Sequence, residues 1–167
     1  MKRLLSIGEA IVDMAPSEKA YAIKDVEAFY PNASGAPADV SGAFARLGGP
    51  SAVITQVGDD PFGDKIVESF GGYGIDTSMI CRTREAKTSL AFISLKYDGG
   101  REFDFYRKPG ADMLLKEEEV LALFVERIRE YATLKVLGYH QKEIRALIVN
   151  ENLIISILGV LCGVGPG

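Results

Sequence analysis

A run of small residues over positions 34–49 constrains the fold of this chain more than any other segment. The run opens with a glycine and alanine loop, and Pro37 stands where the first turn of a helix would begin, a position at which proline is tolerated. Gly48 and Gly49 follow where a left-handed helix C-cap is favourable. The pattern predicts bare backbone amides at the positive end of a short helix. Three apolar residues are expected on one face of that helix: Ala38, Phe44 and Leu47.

A helix start of this kind favours hydroxyl-rich or anionic ligands, because its first amides have no partner within the helix. The alternative is a tightly packed turn that binds nothing.

Composition narrows the ligand classes. The 167 residues carry a formal net charge of −4, which makes nucleic acid an unexpected partner. The two cysteines, Cys81 and Cys162, lack metal-ligand spacing and fit a reduced, cytoplasmic compartment.

Short apolar runs indicate a parallel sheet. Residues 4–7 form one candidate buried strand and residues 51–57 another, and residues 61–70 read as a helix that ends at two glycines. Ligands of open α/β sheets gather beyond the carboxyl ends of the strands. Asp13 follows the first strand, so it is either a hydroxyl-binding carboxylate or a solvated loop acid.

A β-hairpin is predicted between residues 88–96 and 101–107, because both runs are rich in β-formers and Asp98-Gly99 lies between them. Phe103 and Phe105 alternate with acidic residues, which predicts one apolar and one charged face. Residues 17–33 are mixed in character. They form either part of a small sheet or a surface loop.

The chain resembles the PfkB (ribokinase-like) carbohydrate kinases, and within them the fructokinases. The resemblance rests on the 34–49 segment with Gly-Glu-Ala-Ile-Val-Asp at 8–13, Val-Gly-Asp-Asp-Pro-Phe-Gly at 57–63 and Phe-Tyr-Arg-Lys-Pro-Gly-Ala-Asp-Met-Leu-Leu at 105–115. It implies an α/β fold over residues 1–120: part of a three-layer, Rossmann-like sheet with a β lid formed by 14–33 and 88–107.

The resemblance also implies a sugar site. Its expected members in this chain are Asp13, Gly35, Ala36, Asp39, Tyr106 and Arg107. For Arg107 an ordinary strand-end charge is the alternative, and for Tyr106 a packing role. The chain departs from the family pattern at two positions of the loop, with Ser34 in place of the usual glycine and Asp39 in place of the usual asparagine. Because an ionised aspartate only accepts hydrogen bonds, a neutral sugar is expected and a carboxylated sugar is not.

Residues 126–167 are expected to form a different, helical part. Arg-Glu-Tyr-Ala-Thr-Leu-Lys-Val-Leu-Gly-Tyr at 129–139 resembles a segment of the FtsX-like ABC-transporter permeases. Residues 153–164 carry no charge, but a helix of that length reaches only about 18 Å of the ~30 Å hydrocarbon core. A buried helix, or one that pairs two subunits, competes with membrane contact. The chain would then be a hybrid with a helical tail over 121–167.

In the PfkB family, ATP and Mg²⁺ bind the C-terminal half, where a Gly-Ala-Gly-Asp motif supplies the catalytic aspartate. That motif does not occur in these 167 residues. No cofactor and no catalytic residue are therefore expected for this chain alone. The expectation is a sugar-binding portion without kinase turnover, and the alternatives are an assembly module, homo-oligomeric through the lid or the tail, and a membrane-associated permease fragment.

Overall fold

The computed structural model describes residues 3–20, 22–123 and 125. The strands and helices of these residues are, in chain order, β1 (Leu4–Ile7), β2 (Ile11–Pro16), β3 (Phe29–Ser34), α1 (Ala36–Arg46), β4 (Ser51–Gly58), α2 (Pro61–Gly72), β5 (Ile75–Asp76), β6 (Ile80–Thr83), β7 (Leu90–Leu95) and β8 (Arg101–Tyr106). Two 3₁₀ turns cover Ile23–Asp25 and Ala111–Leu114, and a helical segment begins at residue 117.

A parallel sheet is built around β4. Strand β1 pairs with one edge of β4, and β5 and β6 pair in succession with the other edge, all in parallel. Every residue of β4 is buried, as expected for a strand with neighbours on both edges and side chains over both faces. Both predicted strands, at 4–7 and 51–57, are confirmed, but the predicted burial is wrong at Ile7, which is 40% exposed. Strands β5 and β6 are only two and four residues long and were not predicted.

A second, mixed sheet, the lid sheet, has the strand order β3-β2-β7-β8. Strand β2 runs antiparallel to β3 and parallel to β7, and β8 returns antiparallel to β7. The predicted hairpin is confirmed, with Leu95 opposite Arg101 beside the turn. Of the two open interpretations of residues 17–33, the structure gives the sheet for the last part of the range, because residues 29–34 form β3.

The two faces of the parallel sheet have separate apolar clusters. Val53 and Val57 of β4 pack with Ile66 and Phe70 of α2 and with Ala38 of α1. The opposite face carries the apolar side chains of Leu5, Ala52, Ile54 and Met79, and Leu115, Val120 and Leu123 pack against it. The sheet is therefore covered on both sides within the described residues.

Helix α1 matches the predicted helix in its bounds. Pro37 lies in its first turn, and Gly48 follows its end with a φ of +83°. The predicted apolar face is wrong at Leu47, which is 87% exposed. Leu47 is the C-cap residue, where the helical spacing that would bring it to the core no longer applies.

The predicted helical tail lies outside the described residues from residue 126 onward. Within the described part of the chain, no helix has both the length and the apolar character that a membrane span requires.

Candidate functional site

The turn before α1 brings Gly35 against the turn that follows β1. Gly35 is the N-cap residue of α1, with a φ of +139°, a region that L side chains rarely adopt. A Cβ at this position would overlap the carbonyl oxygen of Glu9 and would lie 3.2 Å from Cα of Ala10. Gly8 is in a similar position, because its Cβ would lie 2.7 Å from Cγ of Pro37. Gly35 therefore packs against the backbone of the preceding turn, and Gly8 packs against the ring of Pro37. Residues 34–39, the Gly35 loop, have no space for a side chain at Gly35.

Helix α1 is fixed to the parallel sheet by buried hydroxyl groups. The hydroxyl groups of Ser41 and Ser6 share a hydrogen bond at 2.6 Å, in which either can donate. The hydroxyl that accepts in this pair donates its own proton to a carbonyl oxygen, Ser41 to that of Ala52 at 3.2 Å or Ser6 to that of Pro37 at 2.9 Å. These contacts hold the start of α1, and with it the Gly35 loop, against β1 and β4.

Asp13 lies inside strand β2 of the lid sheet, not in a loop beyond β1, which corrects the predicted location. The chain turns at residues 8–10 and continues as a new strand, in which Asp13 is opposite Asn32 on one side and Ala91 on the other. Val12 on the same strand belongs to the apolar core. Because neighbouring residues of a strand point to opposite faces, Asp13 points away from that core.

Asp39 lies one turn into α1, where its amide donates to the carbonyl oxygen of Gly35 at 2.9 Å. Burial raises the pKa of the Asp39 carboxyl, and the negative charge of Asp13 raises it further. The two carboxylates are thus near enough to repel one another. Ile11, two residues before Asp13 on β2, is opposite Ser34, which places Asp13 near the Gly35 loop that contains Asp39. Ala36 is exposed at the first position of the helix.

An open cavity of about 350 Å³ lies beside Asp39, between β3 and the two helices. It is lined by Ala33, Ala38, Asp39, Gly42, Ala43, Arg46, Phe70 and Tyr73. The cavity reaches Asp39 but is not lined by Asp13 or Gly35, so it extends the site on the side of α1 only.

Arg107 follows β8 and is held by two carboxylates. Its Nη1 donates to Oε2 of Glu9 at 2.7 Å, and its Nη2 donates to Oδ2 of Asp112. The Asp112 side chain is only 1% exposed, and its other oxygen accepts from the hydroxyl group of Ser89. The Nε of Arg107 is buried and has no hydrogen-bond partner among the residues that the structure describes.

Tyr106 lies on the other face of the lid sheet from Asp13. Its partner across the hairpin is Leu90, and Leu90 is also opposite Val12, whose side chain points to the core. The Tyr106 ring packs edge-on against Phe92 with a centroid separation of 5.1 Å. Of the six predicted sugar contacts, the structure brings Asp13, Gly35, Ala36 and Asp39 together. It pairs Arg107 with Glu9 and Asp112, and it gives Tyr106 a packing partner elsewhere.

Three residues that support the site were not predicted from the sequence: Glu9, Ser89 and Asp112. Glu9 and Asp112 lie within the motifs at 8–13 and 105–115, but nothing local indicates that they share Arg107.

Asp60 was also missed as a helix cap. Its carboxylate accepts from the amides of Phe62 and Gly63 at 3.1 and 2.9 Å, and an aspartate directly before a proline at the first helical position is a recognisable signal of such a cap.

The described residues do not by themselves provide a metal site. Nowhere in residues 3–20, 22–123 and 125 do three or more His, Cys, Asp or Glu side chains converge in a way that could hold an ion.

A parallel sheet whose helix begins in a bare glycine turn, with a mixed lid sheet beside that turn, defines an α/β protein of the ribokinase-like class. The crystal structure of fructokinase from Xylella fastidiosa matches it with a TM-score of 0.62 and 43% identity, over 70% of this chain and 36% of that one. The family model described as pfkB family carbohydrate kinase matches residues 1–155. The chain belongs to this family.

Curated relatives agree with this assignment. Fructokinase-1 of Oryza sativa subsp. japonica is 39% identical over 124 residues, which are 74% of this chain and 38% of the relative. Fructokinase-2 of Zea mays is 34% identical over 165 residues, which are 98% of this chain and 48% of the relative. The chain spans between about a third and a half of the length of these relatives.

The comparisons do not support the predicted permease-like tail. The family model continues to residue 155, and the maize relative aligns along almost the whole chain. Both overlap the segment from residue 126 that was predicted to resemble a permease, so the predicted hybrid organisation has no support.

Proposed function

We propose that these 167 residues form the sugar-binding portion of a fructokinase-like carbohydrate kinase and bind a small neutral sugar. One observation carries the proposal: Gly35, at a positive φ against the Glu9 backbone, opens the start of α1, with Asp13 and Asp39 beside it. The carboxylates accept hydrogen bonds from sugar hydroxyls, and the amides at the start of α1 are available to donate.

We propose further that this polypeptide does not transfer a phosphoryl group on its own. Transfer requires a base near the attacking hydroxyl and groups that stabilise the transferring phosphoryl. The Gly-Ala-Gly-Asp motif that supplies the base in the family does not occur in the sequence. The sugar contact of Tyr106 and the cytoplasmic location stay predictions. For Arg107, a direct sugar contact and an indirect role through Glu9 are alternatives.

The first prediction is that calorimetry detects fructose binding to the wild-type chain and that Asp13→Ala abolishes it. The reason is that Asp13 lies beside Asp39 of the Gly35 loop, and its replacement removes a charged hydrogen-bond partner. Asp98→Ala, in the exposed hairpin turn, is the control and keeps the wild-type affinity. ATP addition to the same sample should yield no sugar phosphate. Phosphorylation by the wild-type chain would contradict the proposal, as would an unchanged affinity in Asp13→Ala.

Asp39 sets a second prediction, which concerns pH and sugar charge. A carboxyl whose pKa is raised by folding favours the native state while protonated, so its contribution declines as pH rises from the ordinary aspartate pKa through the raised value. Asp39→Asn removes the unfavourable free energy of ionising this carboxyl group in the folded chain. Its stability should exceed that of wild type at neutral pH by no more than about 0.5 kcal/mol and should match it in acid.

The same variant should bind a sugar acid more tightly than wild type does, because one of two repelling carboxylates is gone. Calorimetry with gluconate measures this. Tight gluconate binding by the wild-type chain would show that the carboxylates do not exclude anionic sugars.

A second candidate function, assembly through the lid sheet, is favoured by two exposed aromatic side chains. Phe103 and Phe105 of β8 stack at 6.1 Å and are 48% and 49% exposed, so the predicted apolar face is present but uncovered in the single chain. Light scattering on the calorimetry sample tests this alternative. A dimer mass supports it, and a monomer at high concentration contradicts it.

A further inference from the structure

The Arg107 cluster joins three separate parts of the chain. Arg107 stands at the end of β8, Glu9 in the turn after β1, and Asp112 in the 3₁₀ turn that follows the lid sheet. Ser89, just before β7, adds a hydrogen bond to Asp112. The cluster therefore lies where the lid sheet meets the rest of the fold.

Packing around Gly110 shows how closely these groups are fitted. A Cβ at Gly110 would overlap the hydroxyl oxygen of Ser89 and would lie 3.0 Å from Cγ of Arg107. The Asp112 carboxylate is almost fully removed from solvent, so its charge requires the guanidinium. Arg107 cannot leave Asp112 for a ligand without leaving a buried charge unpaired.

Glu9 links this cluster to the Gly35 loop. Its side chain is held by Arg107 at 2.7 Å, and its carbonyl group is the atom set against Gly35. A continuous path of contacts thus runs from the ends of the lid strands, through Arg107 and Glu9, to the turn at the start of α1.

We propose that Arg107 is a positioning residue, which holds the Glu9 main chain against Gly35 and so fixes the Gly35 loop to the base of the lid sheet. The role in sugar affinity rests on the proposed function. The role in ordering the loop does not depend on it. The planar guanidinium suits this position because it holds two carboxylates at once, which a lysine ammonium on its flexible stem does less well.

The variant that tests this is Glu9→Ala, because it breaks the path and leaves the pair of Arg107 with the buried Asp112 in place. Amide hydrogen exchange at residues 34–39 should become about tenfold faster without any ligand, while exchange in β4 stays as in wild type. Fructose affinity should fall by about tenfold. Glu9→Gln retains an oxygen that accepts from Arg107. It should therefore keep the exchange rate and the fructose affinity close to those of wild type.

Asp64→Ala is the matched control. Asp64 also accepts from an arginine at 2.7 Å, but that pair is exposed and lies away from the Gly35 loop. Its loss should change neither the exchange at residues 34–39 nor the affinity. Equal effects of Asp64→Ala and Glu9→Ala would overturn the proposal, because the loss of any ion pair would then be enough to speed exchange at residues 34–39 and to lower the affinity.

Arg107→Lys, alone and with Glu9→Ala, separates positioning from direct contact. If Arg107 acts through Glu9, the double variant loses no more affinity than the more affected single variant. If Arg107 donates to the sugar itself, the two losses multiply, and the proposal is overturned. Unchanged exchange in Glu9→Ala overturns it as well. Faster exchange in a chain that binds no fructose supports the positioning role and refutes the proposed function instead.

Discussion

Replacement of Gly35 by alanine is expected to lower the free energy of unfolding by about 3 kcal/mol and to remove sugar binding. Two costs combine at this residue. The φ of +139° is unfavourable for any L side chain, and the added methyl group would overlap the Glu9 carbonyl oxygen. Neither cost can be relieved by a rotamer change, because one arises from the main-chain φ angle and the other from an overlap with a backbone carbonyl oxygen. Chemical denaturation and fructose calorimetry on the same variant measure the two effects.

Two other glycines provide the controls for this experiment. Gly48 also has a positive φ, but a Cβ added there would meet no atom within 4 Å, so Gly48→Ala should cost only about 1 kcal/mol. Gly71 lies in α2 with open space and no positive φ, so Gly71→Ala should be neutral or stabilising. If Gly35→Ala cost no more than Gly48→Ala, the close approach of the Glu9 backbone would not matter.

Asp60→Ala is expected to have the second large effect, also of about 3 kcal/mol. The carboxylate caps α2, and it also accepts from the amide and the hydroxyl group of Thr88, both at 2.9 Å. Thr88 in turn accepts from the amide of Gly58, at the end of β4. Removal of the carboxylate leaves the buried Thr88 donors unpaired and loosens the connection between β4, α2 and the start of β7. Thermal and urea unfolding measure the loss.

The pH dependence of this effect has a definite sign. Burial alone would raise the pKa of Asp60, but hydrogen bonds from the Thr88 and Gly63 amides and the Thr88 hydroxyl, with the charge of Lys87, lower the pKa below its ordinary value. The stabilisation is therefore complete above the ordinary aspartate pKa and is lost as pH falls through the lowered value. Asp60→Asn keeps a capping oxygen and should lack this loss in acid.

Asp59 is the matched control for Asp60. It is the preceding residue, and it pairs with the exposed Arg84 at 2.7 Å instead of capping the helix. Asp59→Ala should leave the unfolding midpoint nearly unchanged, as is usual for exposed ion pairs. Equal losses in the two variants would contradict the capping role of Asp60.

Local signals predicted several elements of this fold correctly. The apolar run at 51–57, the helix after Pro61 and the hairpin about Asp98-Gly99 each have a periodicity or a turn residue that acts over a few positions. Short elements were not predicted, because a local pattern needs several positions to be recognised. Strand β5 has two residues and too few side chains to show a pattern.

The candidate site was predicted only in part. Gly35, Ala36 and Asp39 belong to one turn and one helix start, so their proximity follows from the chain itself. Asp13 was expected just beyond β1, either as a hydroxyl-binding carboxylate or as a solvated loop acid. Nothing in its neighbourhood shows that residues 11–16 form a strand between β3 and β7. Tyr106 was predicted as a sugar contact, but its direction depends on the register of the hairpin, which places it opposite Leu90.

The amino-acid sequence by itself determined the family, the small-residue turn before α1 and the main strands and helices, since each depends on residues close together in the chain. Tertiary structure alone decided the position of Asp13 in the lid sheet and the bond between Glu9 and Arg107, which are separated by 98 positions. Such contacts form because the parallel sheet and the lid sheet bring distant segments together, and local periodicity carries no information about partners at that separation.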